Sequence, residues 1–256
     1  MKLILEGANE REITLLTRYF VKNSIEVIKN NKEFTSISIT KDQDIFPDKL
    51  KVFLNSVTFK IGNIPKHLRQ GPRTWYYQKA IRFNDAYFES DDKSVVIEIL
   101  LNPLLFDITM TNELISRIKN VISHEIQHAY QMHFKKEMYE SDDYDPEKVN
   151  DSFESFKDYW LLPTEVEANA KGIYKKAKHL RIPFTEALDR FIDLYIKDYT
   201  DVNYFGNEYK DLLIDLFDYH LRSAILEYAI KNFPASQVSE SLTIIKKIIE
   251  EELKKV

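Results

Sequence analysis

The stretch VISHEIQHAYQMHF, residues 121–134, gathers three of the chain's six histidines, His124, His128 and His133, around one glutamate, Glu125. Within it, His124-Glu125-Ile126-Gln127-His128 has the spacing of a helical metal site. Helix positions four apart share a face and stand about 6 Å apart along the axis. Two imidazoles placed so can each offer a nitrogen to one zinc ion at about 2.0–2.1 Å. Glu125, one residue round the helix, would reach a water in the open coordination position rather than the ion. That is the placement a metal-assisted general base requires. Glu125 also continues the apolar track of Leu114, Ile118 and Val121, so it points towards buried space. An ionised carboxylate there is costly unless a metal or a donor compensates it.

Catalytic zinc takes three protein ligands plus water. The chain has no cysteine, which excludes thiolate ligands and disulfides and leaves His, Asp or Glu. His133 follows His128 by five residues, about 140° round a continuous helix, and is expected as a partly exposed helix residue rather than a ligand. The next source of ligands is LLPTEVEANAKG, residues 161–172, where Pro163 suits the first turn of a helix and Glu165, Glu167 and Asn169 follow it.

HEIQH followed by a helix bearing Glu165-x-x-x-Asn169 resembles the gluzincin branch of the zinc metallopeptidases, in which HExxH is joined by ExxxD. The EVEAN wording is similar to small phage and bacterial peptidases with an ExEA signature and to ImmA/IrrE-type peptidases. The likeness covers residues 121–172. It implies a zincin-like fold and one Zn2+ held by His124, His128 and Glu165, with Asn169 orienting a ligating histidine. It also implies Glu125 as the group that activates zinc-bound water, and hydrolysis of peptide bonds in a peptide or protein substrate. Glu165 and Glu167 lie about 200° apart on a helix, so only one can face the ion. Asn169 shares the face of Glu165, which leaves Glu167 to solvent. Asn169 stands where the family has Asp: its amide can accept an imidazole N–H but brings no charge. The alternative is therefore a zinc-binding structural or interaction protein, a phage or mobile-element component with a degenerate site. An oxyanion needs a further donor, for which Tyr159 and His220 are the candidates. The strand SVVIEILL, leading into the HExxH helix, is expected as the edge strand that pairs with an extended peptide.

The elements that must position these residues follow from periodicity. Residues 10–30 carry apolar groups at helical spacing. From about 33 to 101 the texture alternates: FTSISIT, VFLNSVTFKI, RTWYYQKAIRFNDAYFE and SVVIEILL read as three or four strands of a small, twisted, mostly antiparallel sheet. In the third of these, Trp75, Tyr77, Ile81, Phe83 and Tyr87 fall on one side at period two. A helix of about 25 residues should begin near 109–111. The acidic run ESDDYDPEKVND, with Asp142, Asp143 and Asp145, reads as a loop. Beyond it helices are expected at 147–158, 163–180, 184–198, 207–232 and 235–254, the last burying Leu242, Ile245, Ile249 and Leu253. Lys175, Lys176, Lys178, His179 and Arg181 read as a solvated helix end.

The fold class is therefore α+β. An N-terminal α/β lobe, 1–137, ends in the HExxH helix, and an all-helical lobe, 138–256, carries the third ligand, the two forming one continuous catalytic domain. A hydrophobic content of 44% and an aromatic content of 13% fit a packed globule. A net charge of −5 gives no basic footprint for nucleic acid. MKLILEG is too short for a signal peptide and no run reaches the length of a membrane span. The expected setting is the cytoplasm, or a virion for a phage-encoded chain.

Overall fold

The computed structural model describes residues 10–29, 34–63, 81–102, 105, 108–141, 148–201, 205–240, 244–245 and 248. It is α+β, and the chain divides into two compact units, 1–135 and 136–256.

The first unit is a four-stranded mixed sheet with two long helices. Helix α1 spans Glu10–Lys29. The strands are β1 (Phe34–Thr40), β2 (Ser56–Asn63), β3 (Ile81–Glu89) and β4 (Ser94–Leu101), in the order β1-β2-β4-β3. β1 runs antiparallel to β2, β2 parallel to β4, and β4 antiparallel to β3. SVVIEILL is thus not an edge strand. β4 pairs along both sides, with β2 and with β3, so its backbone is committed and cannot add a peptide. Its composition says the same, since Val95, Ile97, Ile99 and Leu101 are all fully buried, as a central strand requires.

The period-two reading of the third strand also fails part-way. Phe83 faces Ile99 and Asp85 faces Glu98, so Asn84 is an extra residue in the ladder. One extra residue inverts every following side chain. Ile81 is buried, but beyond the bulge Ala86 and Phe88 pack against the core while Tyr87 is exposed. Trp75 and Tyr77 lie outside the described residues.

Helix α2, Thr111–Phe134, carries HEIQH. Its buried stripe of Leu114, Ile118, Ile122, Ile126 and Ala129 joins Ile13, Leu16 and Phe20 of α1 and the alternate residues Val57, Phe59 and Ile61 of β2 in one core. Phe20 stacks on Phe59 with ring centroids 3.5 Å apart. A helix anchored along about four turns by buried aliphatic groups is a rigid platform for its polar residues.

The second unit is helical. Helix α3 (Lys136–Ser141) runs into only the first two residues of the segment expected as an acidic loop, Glu140 and Ser141; Asp142, Asp143 and Asp145 lie outside the described residues. Helix α4 is Phe153–Leu161, starting later than expected because Ser152 caps it: the Ser152 hydroxyl accepts from the Ser155 N–H at 3.1 Å. Helix α5, Pro163–Leu180, opens on Pro163 and closes on Arg181 in the left-handed conformation, φ 57°. Helix α6 is Phe184–Asp201. The helix expected over 207–232 is instead a short turn, α7 (Lys210–Ile214), a π segment (Asp215–Leu221) and α8 (Arg222–Asn232). The π segment widens the turn while keeping Leu216, Phe217 and Leu221 buried. After α9, Ala235–Val238, residues 244, 245 and 248 are helical and Ile245 packs on the core; Leu242, Ile249 and Leu253 lie outside the described residues. No helix among the described residues is long and apolar enough to cross a membrane.

Candidate metal centre

The first unit supplies a pair of histidines. On α2, the Nε2 atoms of His124 and His128 approach to 3.0 Å, with the rings edge to face and their centroids 4.7 Å apart. Two nitrogens bound tetrahedrally at about 2.0–2.1 Å would lie roughly 3.3 Å apart. The pair is therefore already near the spacing that one shared ion imposes. The other nitrogen of His128, Nδ1, is 3.1 Å from the side-chain oxygen of Gln131, which has no exposed surface. Ligating imidazoles characteristically carry such an outer partner. Gln131 was not among the residues singled out by spacing, although its position three residues after His128 is the signal that could have found it.

Glu125 is 6% exposed, so the general-base candidate is held among packed groups, as its place on the apolar track required. His133 is exposed at the end of α2, its ring 4.5 Å from Phe134, in keeping with its exclusion as a ligand. The Lys135 N–H still makes the regular helical bond to the Gln131 carbonyl at 2.7 Å, and the helix stops where Lys135 leaves helical geometry, φ −130° and ψ 44°.

The second unit presents Glu165 in the first turn of α5, 5% exposed, with Asn169 one turn on at 4%. Glu167, expected in solvent, is buried at 3% and accepts a hydrogen bond of 2.7 Å from the Tyr228 hydroxyl on α8. A carboxyl on the far side of the helix from Glu165 thus has a protein donor of its own. Tyr228→Phe removes that donor from a buried acceptor and should cost about 1–3 kcal/mol in urea denaturation. It should not change metal content.

Asn169 leaves its amide nitrogen buried without a hydrogen-bond partner among the described residues. An orphaned buried donor marks a place where the polypeptide alone does not complete the polar structure.

Tyr159 packs against the core of the second unit, its ring 5.9 Å from Trp160. His220, in the π segment, pairs with Asp215 at 3.2 Å. A cleft of about 440 Å3 in this unit, bordered by Lys178, Arg181, Thr185, Ser236 and Glu240, contains none of these residues. In the basic cluster, Lys178 lies 5.4 Å over the Tyr174 ring.

No family model, no curated protein and no solved structure matches the chain. The residues themselves carry the functional reading.

Proposed function

We propose that the protein is a single-zinc metallopeptidase, with His124, His128 and Glu165 as ligands and Glu125 as the general base. The observation that carries this reading is the convergence of the His124 and His128 Nε2 atoms at 3.0 Å while the outer nitrogen of His128 is tied to Gln131. Further support comes from the chemistry of the proposed donor set, since imidazole nitrogens and a buried carboxylate such as Glu165 are ligand types that zinc takes. Two neutral nitrogens and one carboxylate suit zinc and leave a coordination position for water. The compensation of buried charge points the same way, because a divalent ion offsets the cost of the buried Glu165 carboxylate.

Bound there, the ion would supply Lewis acidity to a scissile carbonyl and lower the pKa of water. Glu125 accepts the proton of the attacking water and returns it to the departing amine, so that no net proton is consumed within the site. His124 and His128, fixed on one packed helix, hold the ion in place relative to that carboxylate. Tyr159 and His220 remain the proposed oxyanion donors. The substrate class is a peptide or protein.

The experiment is a zinc-dependent cleavage screen over mixed peptides, comparing wild type with Glu125→Gln. Chelator-sensitive cleavage by wild type alone supports the proposal; cleavage by neither protein, with zinc bound to both, supports a second reading. That reading, a zinc-binding structural or interaction protein, is favoured by one observation, the unpartnered Asn169 amide at the position where the resembling family carries an acid.

A further inference from the structure

We infer that Gln131 is the positioning residue that presets His128 for metal, fixing its tautomer and ring orientation before any ion arrives; the inference rests on the metal reading above. Gln131 Oε1 stands 3.1 Å from His128 Nδ1. A carboxamide oxygen has no hydrogen to give, so this bond requires the hydrogen on Nδ1. A neutral imidazole with its hydrogen on Nδ1 carries its free lone pair on Nε2, the atom that faces His124. Gln131 is able to impose this because it is itself fixed. It is completely buried, it stands three residues from His128 on the same helix, and its own carbonyl is held in the helical bond from the Lys135 N–H.

The test uses the full chain with Gln131→Met, which keeps the length of the side chain but cannot accept this bond, and Gln131→Glu, which can. Nitrogen-15 NMR of the histidine rings in metal-free protein should find the wild-type hydrogen on His128 Nδ1. Gln131→Met should lose this preference, and Gln131→Glu should restore it on His128. Competition titration with zinc should show Gln131→Met binding about 10–100-fold more weakly than wild type and Gln131→Glu recovering most of that loss. Wild-type His128 carrying its hydrogen on Nε2, or Gln131→Met matching wild type in both tautomer and affinity, would overturn the inference. Should Gln131→Met not fold, the wild-type tautomer and the Gln131→Glu titration still decide it. Wild type that takes up no zinc removes the metal reading alone, because the tautomer measurement needs no metal.

Discussion

Glu125→Gln is expected to lower peptide hydrolysis by about 10²–10⁴-fold, the range a positioned general acid–base group contributes, while zinc stays bound. The substitution keeps the shape of the side chain and removes only its capacity to take a proton. Glu125 is 6% exposed on a helix whose stripe is fully packed, so an isosteric amide meets no new space and leaves no cavity. Folding stability should hold or rise, because a buried carboxylate is replaced by a neutral group. Activity assay and metal analysis on the same preparation separate the outcomes. Lost metal together with lost activity would make Glu125 a structural or ligating group instead of the base.

The second large effect concerns the third ligand. Glu165→Ala should abolish stoichiometric zinc binding, a loss greater than the roughly 10–100-fold that outer partners of ligands control. Glu167→Ala should retain the metal, because the Glu167 carboxyl is engaged by the Tyr228 hydroxyl at 2.7 Å. Thermal denaturation with and without zinc gives an independent readout. A ligand held at about 1,000 times its Kd stabilises the folded state by roughly 4 kcal/mol, so wild type and Glu167→Ala should show a zinc-dependent rise in Tm. Glu165→Ala should show none. The reverse pattern would transfer the ligand role to Glu167 and require Tyr228 to release it.

How much of this was legible in the sequence depends on how local the cause was. The HExxH helix was placed at its observed start because its apolar stripe runs unbroken from Leu114 to Ala129, and α5 was read at its observed bounds because Pro163 marks the first turn. The identity and spacing of His124, Glu125 and His128 are likewise local. Strand order is not. Nothing within SVVIEILL tells whether β2 will lie beside it, yet that parallel pairing turns an expected edge into the sheet's interior. The bulge at Asn84 escapes a periodicity argument because it changes the phase without changing the composition, so Tyr87 faces out while Ile81, on the same side by unbroken alternation, is buried. The Glu167–Tyr228 bond joins residues 61 apart in the chain. Gln131 is the opposite case. Its cause is local, because an i+3 relation to His128 is visible in the sequence itself.

The most direct test of the central claim is the metal content of the purified full-length protein, determined by mass spectrometry of the intact chain and elemental analysis of the same sample. The account predicts about one zinc per chain, lost together with His124→Ala and His128→Ala and removed by a strong chelator with a fall in Tm. Protein that contains no metal, takes up none from zinc-supplemented buffer and melts at the same temperature with or without chelator would contradict it.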